Sequence, residues 1–307
     1  MEGSVIEVAK IAAPKKASKL KAIDPKAAEP SKPKVVVFGK PGVGKTWTAL
    51  DFPSPFYIDT EGGADLAHYT DKLKRSGGAY FGPEQGSLDF AAVIDQVQAL
   101  ATEEHSYKTL IVDSFTKLYT TAIANEGERL GDKNAFGADK KPAIASTRRL
   151  VNWINHLDMS VILICHERTQ WGVDGKGERT EIGVTFDGWD KLEYELHLCL
   201  NIIKSGPQRM ARVRKSRLTG FPDGDAFQWS FDDFAARYGK DVINRKAAQV
   251  AIATAEQIAE INRLLGVVKV PEDYILKCVD KARVSSLEEI AADKAQAIIN
   301  DLKGRAG

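Results

Sequence analysis

Short, unbroken apolar runs recur along the first two thirds of the chain, and each stops at a polar or glycine-rich stretch. Lys34-Val-Val-Val-Phe38 is largely β-branched and enters a glycine-rich turn; Phe56-Tyr-Ile-Asp59, Thr109-Leu-Ile-Val112 and Ser160 to Cys165 repeat the pattern. Runs this short, without polar alternation, predict strands buried on both faces. Between them, Phe90, Val93, Ile94, Val97 and Leu100 fall at helical spacing within 88–102, and 143–157 has the same character. Strands alternating with helices predict an α/β fold, a mainly parallel sheet flanked by helices, over residues 34–236.

Downstream the pattern changes. Residues 167–190 hold five glycines, many charges and two tryptophans, which predicts a long loop or hairpin. Segments 194–203, 210–219 and 226–231 predict further strands with antiparallel pairing at one edge of the sheet. Beyond a linker at Arg237 to Lys246, residues 247–307 predict a small helical domain. Its first helix opens on the capping box Thr254-Ala-Glu-Gln257 and carries Ile258, Ile261, Leu264 and Leu265 inward. Pro271 opens a second helix with Tyr274, Ile275 and Cys278 inward, Ser286 to Glu289 a short third, and Asp293 to Gln296 a last one carrying Ile298, Ile299 and Leu302.

Residues 1–33 show no sustained period, and 1–34 contain eight lysines against four acids, so a mobile basic arm is expected there. Within it, Val5 to Val8 has the makings of a short strand or docking peptide. Whole-chain charge selects no partner, because 43 Lys and Arg balance 42 Asp and Glu to leave +1. Cys165, Cys199 and Cys278 are widely spaced, as expected of buried free thiols in a reducing cytoplasm. Apolar runs fall far short of the ~20 residues of a membrane span, and the N-terminus lacks a secretory signal pattern, so a cytoplasmic protein is expected.

The chemistry begins at Gly39-Lys-Pro-Gly-Val-Gly-Lys45-Thr46, a GxxxxGK[ST] loop between a strand and a helix. Backbone N–H groups of Gly39, Lys40, Gly42, Val43 and Gly44 would line a phosphate cradle, which Pro41 helps to shape without donating, with Trp47 at its exit. Lys45 would reach the β- and γ-phosphates of ATP, and the Thr46 hydroxyl would bind Mg2+. Asp113, at the end of its strand, is the natural magnesium-side carboxylate. It is followed by Ser114, so a catalytic carboxylate must come from elsewhere. Glu61, just past the strand ending at Asp59, could polarise water toward the γ-phosphate; its alternative is a carboxylate at a helix start. His166 is either a γ-phosphate sensor or a satisfied polar residue at a strand end.

Residues 201–222 contain Lys204, Arg209, Arg212, Arg214, Lys215 and Arg217 and no acid. This run reads as a solvated edge, as a DNA contact, or as cations offered to a neighbouring subunit's ATP. Arg168, Trp171, Lys176 and Arg179 in 167–190, and Lys133, Phe136, Lys140 and Lys141 in 129–141, mix cations with aromatics. Such mixtures suit single-stranded DNA, charge meeting the backbone and rings the bases.

The order P-loop, strand-Asp-Thr-Glu-Gly, strand-Asp-Ser, strand-polar residue, glycine-rich loop and basic strand resembles the RecA-type recombinase core. Within it the chain looks most like the bacteriophage Sak-type single-strand annealing proteins, over roughly residues 34–232. The resemblance implies a RecA-like P-loop ATPase core. It makes Glu61 the catalytic glutamate, Asp113 the magnesium-side aspartate and His166 the γ-phosphate sensor. It also makes Lys215 and Arg217 the cations that reach an adjacent subunit's ATP, and sets Tyr69 and Asp65 near adenine. The implied function is an ATP- and Mg2+-dependent, single-stranded-DNA-stimulated ATPase of recombination or annealing, encoded by a phage and acting in the bacterial cytoplasm. Its implied partners are single-stranded DNA, further copies of the chain with ATP at their interface, and a single-strand-binding protein. A ring helicase or translocase motor and an ATP-dependent loader are the alternatives on the same core. The commoner RecA pattern differs at Lys40-Pro41, at His166 and in the arm.

Overall fold

In the computed structural model, which describes residues 30–63, 66–284 and 286–306, the β-branched runs pair as read. β1 (Lys34–Gly39) leads through the P-loop to α1 (Lys45–Ala49), and β2 (Pro55–Asp59) to α2 (Ala67–Arg75). β3 (Ala79–Phe81), α3 (Phe90–Thr102) and β4 (Thr109–Asp113) follow, then α4 (Phe115–Leu130), α5 (Lys140–His156) and a long β5 (Ser160–Val173). β6 (Arg179–Phe186), α6 (Leu192–Glu195), β7 (Leu198–Ser205), β8 (Gln208–Ser216) and β9 (Ala226–Gln228) complete the strands. The sheet order is β3-β2-β4-β5-β1-β7-β8-β9, with β6 paired only to β5. From β3 to β7 every pair is parallel, and β8 and β9 close one edge antiparallel. The fold is therefore α/β, a mostly parallel sheet flanked by helices.

Parallel strands must be covered on both faces. Val36, Phe38, Leu110, Val112 and Leu163 pack under α3, α4 and α5, together with Phe186 and Trp189. Val35, Val37, Ile111, Ile162 and Leu200 face the other layer, formed by α1, α2, α7 (Phe231–Tyr238) and α8 (Lys240–Asn244). The last two helices occupy the span read as a linker. They are too short to show an apolar stripe in sequence, yet each buries an anchor, Phe234 and Ile243.

Other local readings shift with tertiary context. The strand expected over 194–203 begins only at Leu198, because 192–195 makes the short α6. The 167–190 segment is a β5–β6 hairpin, with a bulge between Gln170 and Trp171. No helix forms over Ser286 to Glu289; the chain turns there so that Ala291 can bridge Ile252. α9 (Ala255–Leu265) has the expected Thr254–Gln257 capping box, and α10 (Tyr274–Ala282) and α11 (Ala292–Ala306) follow. α11 starts at Ala292, which places Asp293 in the first turn rather than at the cap. Ile261, Leu264, Val279, Ile298 and Leu302 form an apolar cluster of their own. The arm through residue 29, with Val5 to Val8, and Asp65 lie outside the described residues.

The segment before α9 is stitched to the edge of the sheet where the strands begin. Arg245 pairs with Asp158 at 2.9 Å, the Ala248 amide donates to Asp158, and the Val250 amide donates to the Ala101 carbonyl. Beside this seam lies Lys34, fully buried, its Nζ donating to the carbonyls of Leu157 at 2.5 Å and Met159 at 2.6 Å. Burial pushes its ammonium down to about 7, although Asp158 opposes the shift. Between pH 7 and the ordinary lysine range the unfolded chain binds the extra proton, so Lys34 adds stability as pH rises through that window. The thermal midpoint of the parent should therefore gain on that of Lys34→Met between pH 7 and 9. Parallel melting curves would contradict this account.

Candidate functional site

The P-loop, Glu61, Asp113 and His166 all lie where the parallel strands end. Gly39 pairs in register with His166, Asp59 with Asp113, and Asp113 with Ile164. β5 thus stands between the P-loop strand and the Asp113 strand, and side chains must reach across it. Thr46 does so: its hydroxyl donates to Asp113 Oδ2 at 2.5 Å.

Gly39 is required by a close approach and Gly44 by its backbone conformation. A Cβ on Gly39 (φ 154°) would lie 2.3 Å from the Ile202 carbonyl oxygen, so β7 can approach only a bare backbone. Gly44 adopts φ 88°, a conformation that favours glycine. α1 has only five residues, so the cradle depends on the loop's own amides more than on a helix dipole. Lys45 Nζ folds back on the carbonyls of Gly39 at 2.8 Å and Lys40 at 3.0 Å. Burial lowers its ammonium from the usual range, while Asp113 and Glu61 pull the other way.

Asp113 is buried and its carboxyl is raised to about 6, chiefly by desolvation, against the Thr46 hydrogen bond. Tyr57 donates its hydroxyl to the same oxygen at 3.3 Å. Thr46 and Asp113 offer the hydroxyl and single carboxylate that a magnesium ion accepts when phosphates and water complete its shell. Among the described residues, no cluster of three or more His, Cys, Asp or Glu could hold an ion by itself. That donor set fits a metal delivered with its nucleotide.

Glu61 is set by its neighbours. The Asp59 carboxylate accepts the amides of Glu61 at 3.0 Å and Gly62 at 2.9 Å, a local turn that fixes the strand exit. Thr60 and Ser114 exchange hydrogen bonds, the Thr60 hydroxyl donating to the Ser114 carbonyl at 3.1 Å and the Ser114 amide to the Thr60 hydroxyl at 2.8 Å. The Glu61 carboxylate then accepts from Ser114 Oγ at 2.5 Å and His166 Nε2 at 2.6 Å. Burial pushes Glu61 up, but those two hydrogen bonds and the charges of His166 and Lys117 prevail and hold it below the usual range. It is an ionised, half-exposed carboxylate at the mouth of the cleft. Beyond it opens a cavity of about 440 Å³ that includes Pro83, Asp89, Lys117 and Asn125.

On the other side of the P-loop, a cleft of about 230 Å³ is lined by Gly42, Gly44, Lys45, Thr46, Trp47, Tyr69 and Arg209. Trp47 meets Tyr69 edge-on at 5.9 Å, and Lys72 Nζ sits 3.9 Å over the Trp47 ring. Trp47 and Tyr69 are expected at this cleft from the sequence, in which Arg209 stands only as one cation of its basic run. Only the face alternation of β8 after the Gly206–Pro207 turn could have signalled it.

Lys215 and Arg217 lie at the opposite end of the sheet. The Arg217 amide donates to His197, whose own amide donates to Lys34 at the start of β1. They are thus about 16 Å along the strands from their own P-loop, the length of β1 at ~3.3 Å per residue. Lys215 Nζ donates to the Leu196 carbonyl at 2.6 Å, and Arg217 donates to the Tyr194 carbonyl.

The two suspected DNA segments stand on the P-loop side. The β5–β6 hairpin runs past the sheet edge and exposes Trp171, Val173 and Ile182, with Arg179 stacked 4.5 Å over Trp171. Lys176 lies in its tip turn, whereas Arg168 is held by Asp190 at 2.5 Å and by the Phe186 carbonyl. α4 leaves the top of β4, and α5 descends to where β5 begins, so 131–139 connects them on the P-loop side. That connection carries exposed Lys133 and Phe136, and Lys140 opens α5. Among the described residues, Lys133, Lys140, Lys176 and Arg179 have no ion-pair partner.

No curated protein matches the chain. A family model described as an AAA domain matches residues 31–219, from the residue before Lys32 to just past β8. P-loop, Asp113, Glu61 and His166 all fall inside that span. The chain belongs to this AAA-domain family of P-loop ATPases.

Proposed function

We propose that the chain is a Mg2+-dependent ATPase that works on single-stranded DNA in recombination or strand annealing. The observation that carries the ATPase half is the Thr46–Asp113 contact beside an ionised Glu61 held by Ser114 and His166. Lys45 exchanges its two backbone carbonyls for the β- and γ-phosphates when ATP enters. Thr46 and Asp113 hold the magnesium ion, which when bound neutralises charge on the phosphate oxygens. Glu61 orients the attacking water and takes its proton. His166 follows the state of the γ-phosphate through the hydrogen bond it shares with Glu61.

The DNA half rests on unpaired cations and exposed rings at the same edge of the sheet, on the β5–β6 hairpin and on 131–140. Lys215 and Arg217, far from their own P-loop, complete the site of a second copy, so ATP lies between subunits in a homo-oligomer. The wider setting follows the resemblance to Sak-type proteins: a phage product in the bacterial cytoplasm, meeting a single-strand-binding protein on its substrate.

ATP turnover measured with and without oligonucleotide tests this reading. Single-stranded DNA should raise the rate, and Trp171→Ala should weaken DNA binding by about 1–3 kcal/mol, the worth of one stacked base. Nucleotide binding with no response to any DNA would remove the recombination role. Strand displacement powered by ATP would instead favour a helicase.

A further inference from the structure

We propose that Arg209 is a ligand for the phosphates of the bound nucleotide, supplied in cis by the start of β8. This rests on the ATP-binding reading above and adds a residue to it. The Arg209 side chain lies directly on the P-loop: a Cβ built on Gly44 would fall 2.1 Å from its Nε and 2.4 Å from its Cδ. It lines the same cleft as Lys45, Trp47 and Tyr69. Its charge also reaches the Tyr69 hydroxyl, where it opposes the upward push of burial and of Asp113.

Orientation follows from strand alternation. Ala211 and Val213 on β8 are buried in the layer that contains Val43, so Arg209 points to the P-loop side as well. Arg212, one step out of phase, faces away.

The charge balance around Arg209 points to an anion. Arg214, farther along β8, and Arg237, on α7, are each paired with a carboxylate, Glu193 and Asp225. Among the described residues Arg209 has none. Directly across the ladder stands Lys204, and directly opposed residues share a face. Like charges placed this way destabilise a strand pair unless something negative lies between them. A polyphosphate supplies that charge, and a guanidinium presents the planar fork that matches phosphate oxygens.

The test compares ATP and inorganic tripolyphosphate as competitors of a fluorescent ATP analogue on the full-length protein. Arg209→Ala should weaken both about 10–100-fold, as expected for loss of a charged hydrogen bond. Arg209→Lys should fall between variant and parent, because it keeps the charge without the fork. Matching circular dichroism melts would exclude a folding defect. Mixing Arg209→Ala with Lys45→Ala chains should restore nothing, since an arginine acting in cis cannot be lent by a neighbour. Unchanged ATP affinity in Arg209→Ala, with Lys45→Ala clearly impaired, overturns the inference alone. Loss of ATP affinity with tripolyphosphate unaffected overturns the phosphate assignment and puts the guanidinium on the base. If Lys45→Ala binds ATP like the parent, the P-loop reading itself falls, and the inference with it.

Discussion

Replacing Glu61 with Gln should reduce ATP turnover about 10²–10⁴-fold while leaving ATP binding intact. The substitution keeps the side chain's size and its capacity to accept from Ser114 Oγ and His166 Nε2. What it removes is the proton acceptor. Glu61 is the carboxylate at the site that hydrogen bonds hold ionised, whereas burial raises Asp113 to about 6. Asp113 is also engaged by Thr46 and Tyr57, which leaves it little freedom to take a proton from water. Steady-state turnover and equilibrium binding of a fluorescent ATP analogue separate the two effects. If the variant turned over like the parent, the base would have to be sought elsewhere. Joint loss of binding and turnover would mean that Glu61 shapes the cleft rather than the chemistry.

The second large effect concerns Arg217. Its own P-loop is at the far end of the sheet, so removal should be silent in an isolated chain and severe in an assembly. An arginine provided in trans to a phosphoryl-transfer site is worth roughly 10³-fold or more. Arg217→Ala should therefore show a turnover defect of that order without a comparable loss of ATP affinity. Mixed with Glu61→Gln, it should recover part of the parent rate, because hybrid interfaces pair an intact Glu61 with an intact Arg217. If mixtures of any ratio stay inactive, the shared-site arrangement is wrong. The hydrogen bond from Arg217 to the Tyr194 carbonyl would then be its whole role, a brace between α6 and β8.

Much of this was legible in sequence because burial leaves a simple mark. The runs 34–38, 109–112 and 160–165 are covered on both faces, so nearly every residue is apolar and the strands stand out as unbroken runs. Helix α4 escaped because only its first turn is buried, at Phe115, Thr116, Leu118 and Tyr119, and its outer half shows no stripe. α7 and α8 escaped because a helix of five to eight residues anchors through one or two side chains. The helix read at Ser286 failed for a tertiary reason, since that stretch must turn to pair Ala291 with Ile252.

For the site, motif residues separated by a fixed number of positions could be read directly, as with Lys45, Thr46 and Asp113. The Glu61–Ser114–His166 set needed three strand ends brought into register, and sequence supplied only its members. Arg209 was illegible because its meaning depends on which face of β8 it occupies. That face is fixed by pairing with β7 and by the bare backbone of Gly39, and by nothing adjacent to Arg209 in the chain.

The stitched segment ahead of α9 also bears on how force would leave the ATPase. A free tether of similar length would let α9–α11 wander, and a partner bound there would sense the core only through its local concentration. Here the Arg245–Asp158 pair, the amide of Ala248 and the Val250–Ala101 hydrogen bond clamp that segment to the base of the sheet. Arg149 and Glu289, 2.7 Å apart, add a second point of attachment between α5 and the terminal helices. Cargo held by those helices would turn with the core as on a crank, so any rotation of the core would reach it undamped.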